Sequence, residues 1–167
     1  MRARIAAGLL TLGLAPAVAL PAGAQDVLPA ERAFAYSVRG LDPATVEARF
    51  AIAPGYYVYR DRLKFSVASG QVPVVLAAAP VLPPGKVKED PFFGTVETYR
   101  GEVSVRLALA APAPGGTLTV TAESQGCADL GICYPPQRQS LELTLPATGA
   151  GPGAPVEFAP AKKKWFN

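Results

Sequence analysis

Apolar and polar residues alternate with a period of two in four stretches of this chain. Between residues 44 and 53, Val46, Ala48, Phe50 and Ile52 share one face, while Glu47 and Arg49 lie on the other. Residues 102–109 set Val103, Val105, Leu107 and Leu109 against Glu102, Ser104 and Arg106, and residues 116–123 set Leu118, Val120 and Ala122 against three threonines. Residues 140–145 set Leu141, Leu143 and Leu145 against Glu142 and Thr144. Successive side chains of a strand point to opposite faces, so this pattern predicts sheets with one dry and one wet side. Shorter candidates lie at 34–38, 56–60, 63–67 and 74–77, separated by turn signals such as Pro54-Gly55, Ser69-Gly70 and Pro114-Gly115-Gly116. No stretch carries a helical period. Seven or eight short strands across residues 25–146 predict an all-β, immunoglobulin-like two-sheet sandwich, and no βαβ unit supports a thioredoxin fold.

The two ends of the chain read differently. Arg2 and Arg4 precede an apolar run over residues 5–20, and Ala22-Gly23-Ala24 follows with the small-x-small pattern of a cleavage site. A spanning helix needs about 20 apolar residues, and this run is shorter and broken by Gly8, Gly13 and Pro16. Residues 1–24 are therefore expected to be a cleaved signal peptide, delivering the chain to an oxidising compartment, the periplasm. From residue 147 the Ala-Thr-Gly-Ala-Gly-Pro-Gly-Ala-Pro composition predicts a flexible tail to residue 167. Its last residues, Lys162, Lys163, Lys164, Trp165, Phe166 and Asn167, read as a frayed end rather than a membrane contact.

Charge and composition narrow the chemistry. The formal net charge of +3 falls to +1 once Arg2 and Arg4 are removed, so no nucleic-acid partner is expected. Histidine is absent, which removes Ser-His-Asp and Cys-His nucleophile pairs and imidazole acid–base work. Cys127 and Cys133 are the only cysteines. Without histidine they leave too few soft ligands for a metal-handling role.

Two cysteines in an exported chain most often form a structural disulfide. Here the bond would close a loop of only about seven residues, worth roughly 2 kcal/mol of unfolded-state entropy. A short bond on a glycine-containing turn is better placed for exchange than for stapling a sandwich. No cation neighbours the pair in sequence, and Asp129 lies between them, so neither sulfur reads as a strongly activated thiolate. Both readings stand at this point: a redox relay working mainly with docked partners, and a binding module with a structural clip.

The motif Gly126-Cys-Ala-Asp-Leu-Gly-Ile-Cys-Tyr-Pro-Pro136 resembles the active-site segment of the periplasmic N-terminal domain of the DsbD family of thiol:disulfide interchange proteins. The likeness runs from about residue 28 to 145. It takes in Gly55-Tyr-Tyr-Val-Tyr-Arg60 with Asp61-Arg62-Leu63, and Glu89-Asp-Pro-Phe-Phe-Gly94 leading to Glu97-Thr-Tyr-Arg100. The resemblance implies a sandwich with its redox cysteines on adjacent strands under a cap loop. It implies a donor that is a thioredoxin-like domain or membrane-embedded thiol reductase. The implied acceptors are periplasmic oxidoreductases, namely a disulfide isomerase or the thioredoxin-like proteins of cytochrome c maturation. No cofactor beyond the disulfide itself is implied.

By position, Cys133 matches the cysteine that forms mixed disulfides and Cys127 the resolving one. Asp90, Phe92, Phe93 and Gly94 match the cap, with Phe92 as the shielding aromatic, and Tyr57, Tyr59, Asp129 and Tyr134 are expected to line the site. Apart from the resemblance, Phe92 and Phe93 read as buried aromatics, and Tyr57 and Tyr59 as ordinary sandwich residues. Pro91 stands where the family often has a second acidic residue, and Phe93 where it has tyrosine, which makes this cap stiffer and less polar. Proteins of the family continue into a transmembrane domain and a thioredoxin-like domain. This chain, ending at Asn167, reads as a stand-alone version or as a fragment.

Overall fold

All four alternating segments form strands with their apolar rows inward. The computed structural model describes residues 27–91 and 93–158; the expected signal peptide, Phe92 and residues 159–167 lie outside the described residues. In chain order the strands are β1 (Phe34–Asp42), β2 (Thr45–Ile52), β3 (Tyr56–Tyr59), β4 (Lys64–Ser69), β5 (Val72–Pro73) and β6 (Lys86–Asp90). They continue with β7 (Gly94–Tyr99), β8 (Glu102–Ala108), β9 (Thr117–Ser124), β10 (Gly126–Ala128), β11 (Gln137–Thr144) and β12 (Val156–Glu157). Among the described residues the helices are a single turn at Ala30–Ala33 and a 3-10 turn at Arg60–Arg62.

The strands pair antiparallel into three four-stranded sheets, ordered β12-β1-β2-β8, β11-β9-β4-β5 and β10-β3-β7-β6. The first two enclose the main core. Tyr36, Val38, Val46 and Phe50 from one meet Val67, Val120, Leu141 and Leu143 from the other. The third sheet extends the second. β9 runs into β10 with a break at Gln125, and β3 runs into β4 across the 3-10 turn. The same two chain segments therefore pair twice, β4 with β9 and β3 with β10. At the break, Tyr59 N donates to Gln125 O at 3.0 Å.

This junction decides the character of β3, which is buried on both faces. Tyr56 and Val58 join the main core, whereas Tyr57 and Tyr59 join Cys127 in a separate small cluster. Its unbroken apolar run, Tyr56-Tyr-Val-Tyr59, is what a doubly covered strand requires.

Three segments depart from the sequence expectations. Residues 74–77 form no strand. Val74 N donates to Val67 O of β4, Leu76 makes one bridge to Leu109, and Ala77 N donates to Ala108 O, so the segment crosses from the edge of β4 to the end of β8 without pairing along either. The hairpin β6–β7 was not anticipated, because Lys86-Val-Lys-Glu-Asp90 is an edge strand rich in charge with no apolar row to read. The expected tail also orders part-way: Val156 pairs with Val38, and Phe158 N donates to Tyr36 O at 2.9 Å. The open edge of β1 supplies these backbone partners, and Val156 and Phe158 pack on the core. Composition cannot register either contribution.

Candidate active site

β10 opens a tight hairpin. The chain reverses at Gly131, whose φ of +83° favours glycine, and Gly131 N donates to Ala128 O at 3.0 Å. Ala128 N donates to Ile132 O at 2.8 Å and Tyr134 N to Gly126 O at 2.9 Å. Between those two bonds Cys127 and Cys133 face each other as a non-hydrogen-bonded antiparallel pair, the closer kind, with Cα atoms 4.0 Å apart. They are joined by a disulfide. The two ends of that bond differ sharply: Cys127 is 0% exposed, and Cys133 stands open to solvent. Leu130 and Ile132, also exposed, flank Cys133.

Beneath the hairpin lies the small cluster of Tyr57, Tyr59 and Cys127, with Val96 of β7 against it. The Tyr59 hydroxyl is 3.2 Å from Cys127 Sγ and donates to Asp90 Oδ2 at 2.7 Å. Tyr57 OH also donates to Asp90 Oδ2, at 3.4 Å, and the two tyrosine rings meet edge to face at 5.5 Å. Burial, reinforced by the Asp90 carboxylate, pushes the Tyr59 phenol well above its ordinary value, so it remains a proton donor at neutral pH. The Asp90 side chain is 1% exposed, and Lys88 Nζ lies 3.7 Å from its Oδ2. Lys88 Nζ also donates to Tyr57 OH at 2.5 Å and sits 3.7 Å from that ring's centroid.

Asp90 and Gly94 pair across the turn of the β6–β7 hairpin, so the expected cap loop is the tip of a hairpin. Pro91 and a Gly94 with φ +70° shape that turn, and Phe93 N donates to Asp90 Oδ1 at 3.2 Å. The start of the hairpin is fastened too. Arg60 Nε donates to Pro83 O at 3.0 Å, Tyr99 OH donates to the same carbonyl, and Gly85 N donates to Glu97 Oε2 at 3.0 Å. Phe93, 42% exposed, packs edge-on against Tyr59 at 5.2 Å, and the Arg62 guanidinium lies 5.0 Å from its ring centroid. Phe92, the expected shielding aromatic, lies outside the described residues.

Two expected lining residues have other placements. Asp129 is on the outside of the hairpin, held by Arg100 through NH1 to Oδ2 at 3.0 Å and NH2 to Oδ1 at 2.6 Å. Its charge is thus matched, and it is not the uncompensated carboxylate that the sequence suggested. Two cations, Lys88 and Arg100, flank the ring of Tyr57, which packs with Cys127. Tyr134 faces away from Tyr57 and Tyr59. Its ring meets Phe34 at 5.3 Å, its hydroxyl donates to Leu28 O at 2.5 Å, and burial pushes its phenol up to about 12. It moors the hairpin's return strand to the main core.

The Arg100 guanidinium holds the Asp129 carboxyl below its ordinary value. A carboxyl lowered in the folded state contributes stability above its unfolded pKa of about 3.9, and that contribution is lost as pH falls through the folded value. Both side chains are about half exposed, so screening limits it to well under about 1 kcal/mol. Amide exchange at Ala128 and Gly131, whose N–H groups close the hairpin, should therefore become modestly less protected as pH is lowered from about 5 to 3, and Asp129→Asn should remove that dependence. An unchanged pH profile in Asp129→Asn would show that the pair does not fasten the hairpin.

Sequence reasoning missed Lys88 and Val96, and it placed Arg62, Arg100 and Gly126 in motifs without a role. The signal for Lys88 was its place two residues before Asp90, on a strand whose charge hid it.

Comparison with known proteins places this geometry. A family model described as the N-terminal part of thiol:disulfide interchange protein DsbD matches residues 24–145. A thiol:disulfide interchange protein DsbD of Ralstonia nicotianae is 45% identical over 163 residues, covering 95% of this chain and 26% of that protein. DsbD 2 of Pseudomonas aeruginosa is 45% identical over 129 residues, 77% of this chain and 19% of that protein. The chain thus spans about a quarter or less of the curated relatives it matches. Among solved structures, the reduced DsbD N-terminal domain of Neisseria meningitidis superposes with a TM-score of 0.61 at 31% identity, covering 78% of this chain and 96% of that one. The same species' DsbD N-terminal domain in complex with the PilB N-terminal domain gives 0.58 at 32% identity, over 78% and 94% of the chains.

Proposed function

The chain belongs to the family of N-terminal domains of the thiol:disulfide interchange protein DsbD, and from that footing we propose that it is a periplasmic relay of reducing equivalents working through Cys127 and Cys133. The observation that carries the reading is the asymmetry of the disulfide: one sulfur is sealed against Tyr59, and the other belongs to an exposed residue. A donor thiolate attacks Cys133 Sγ, the sulfur–sulfur bond breaks, and the electron pair leaves on Cys127 Sγ, where the Tyr59 hydroxyl meets it. The donor's second thiolate then releases Cys133. The dithiol has gained two electrons and the donor is left as a disulfide. In the onward step the Cys133 thiolate attacks an acceptor disulfide and Cys127 resolves the mixed intermediate.

The donor in this reading is a thioredoxin-like domain or a membrane-embedded thiol reductase. The acceptors are periplasmic thioredoxin-like oxidoreductases, including a disulfide isomerase and cytochrome c maturation proteins. The complex of a relative's domain with a PilB N-terminal domain supports docking of a separate domain on this fold. Among the described residues no helix is long and apolar enough to cross a membrane.

A structural clip explains less. The hairpin is already closed by three backbone hydrogen bonds, so the covalent bond adds little fastening. Equilibrating the protein with a glutathione couple and with a thioredoxin couple, and following urea unfolding of each redox form, tests the difference. The expected result is a disulfide reducible by a thioredoxin, with the two forms differing in stability by about 2 kcal/mol or less. A bond inert to both couples, with a large loss of stability on forced reduction, would favour the clip.

A further inference from the structure

We propose that Lys88 is a positioning residue for the exchange reaction: by neutralising Asp90 it leaves the Tyr59 hydroxyl available to the departing Cys127 sulfur. This deepens the exchange reading and rests on it. The geometry starts from one proton with two claimants. The Tyr59 hydroxyl lies 2.7 Å from Asp90 Oδ2 and 3.2 Å from Cys127 Sγ. In the disulfide state Cys127 carries no charge, and the hydroxyl serves Asp90. When the bond breaks and the electron pair settles on Cys127 Sγ, two anions face that one O–H inside a buried cluster. Turning the hydroxyl to the sulfur takes one donor from Asp90, whose negative charge, 1% exposed, then sits in the same cluster as the new thiolate.

Lys88 is a cation that faces that carboxylate. Its Nζ is 3.7 Å from Asp90 Oδ2, and it reaches the same carboxylate through Tyr57, donating to Tyr57 OH at 2.5 Å while Tyr57 OH donates to Asp90 at 3.4 Å. Of the other charges around the cluster, Arg62 lies over the Phe93 ring on the outer side of Tyr59. Arg100, 5.1 Å from the Tyr57 ring, is spent on Asp129, and Glu89 accepts from Thr95 Oγ1 on the exposed side of β6. The departing sulfur is finally protonated from water, after which the hydroxyl can return to Asp90.

The test compares Lys88→Met and Lys88→Gln, which remove the charge, with Lys88→Arg, which keeps it, all in the full chain. Lys88 sits on an edge strand and is about one-third exposed, so these variants keep the fold. Reduction by dithiothreitol and by a reduced thioredoxin is followed against pH, and the thiolate of the reduced protein is titrated by its ultraviolet absorbance. Both neutral variants should be reduced roughly three- to tenfold more slowly at neutral pH, with thiolate formation moved to higher pH. Lys88→Arg should recover most of the rate. A purely structural role would lower the melting temperature without moving the titration. Neutral variants that titrate and react like the parent overturn the inference, as does a slowing that Lys88→Arg does not reverse. A parent disulfide that neither reductant opens is a separate result: it removes the exchange reading, and this inference with it.

Discussion

Cys127→Ala should yield a protein that captures a partner as a stable mixed disulfide through Cys133, and Cys133→Ala a protein that captures none. The expectation follows from access. In-line attack on a disulfide requires an open approach to one sulfur with the other directly behind it as leaving group. Cys127 is fully buried between the hairpin and the Tyr57–Tyr59 pair, so a docking thiolate has a route to Cys133. Without Cys127 the intermediate has no internal thiol to resolve it. Exchange should be abolished in both variants, with the trapped species confined to Cys127→Ala. Mixing each variant with a thioredoxin and separating products by non-reducing electrophoresis reads the outcome directly. A trapped species arising from Cys133→Ala would reverse the assigned roles.

Gly126→Ala should be among the most damaging single-atom changes to this site. A Cβ at that position would meet Tyr57 O at 2.3 Å and two Phe34 ring carbons at 2.7 and 2.8 Å. Phe34 is fully buried, held edge-on by Tyr56 and Tyr134, and Tyr57 O is backbone, so neither neighbour can give way cheaply. Overpacking of this kind costs about 1–3 kcal/mol, and a rigid backbone contact puts it at the upper end. For a domain of this size that corresponds to a fall in melting temperature of roughly 10 °C. Because Gly126 pairs with Val58 and the next residue is Cys127, relief by moving β10 off β3 would also pull the buried sulfur from Tyr59. The variant should react faster with small thiols as it loses stability. Gly151→Ala, which meets nothing within 4 Å, is the control and should match the parent. Equal melting temperatures for both variants would show that β10 is not pressed against β3 as described.

Much of the sandwich was legible because its cause is local. Val46, Ala48, Phe50 and Ile52 alternate with polar residues, and all four are buried; Val103, Val105 and Leu107 repeat the pattern on the strand beside them. Where alternation failed, so did the reading. β6 has a single valine, itself exposed, among four charged residues, and its place in a sheet comes from its hairpin with β7. Residues 74–77 have strand-like composition but make one backbone bond to β4 and then pass to the end of β8, following neither. The stretch after residue 147 lacks the apolar content to order itself, yet β1 offers it an unpaired edge. The cysteine motif was legible as chemistry, because two cysteines without histidine leave few alternatives.

A strand's dry face, the lack of imidazole chemistry and the presence of one short-loop cysteine pair are properties of neighbouring residues, and reading along the chain was enough to obtain them. Which sulfur a partner can reach was not such a property. It depends on Tyr59 arriving beside Cys127 from 68 positions away and Asp90 from 31 positions beyond Tyr59. The same holds for Asp129, neutralised by Arg100 across 29 positions, and for Tyr134, turned to Phe34 and Leu28 instead of to the site. Periodicity records which way each side chain leaves its own strand; only the packing of three sheets determines what it meets, and there the charges and burial around the disulfide are set.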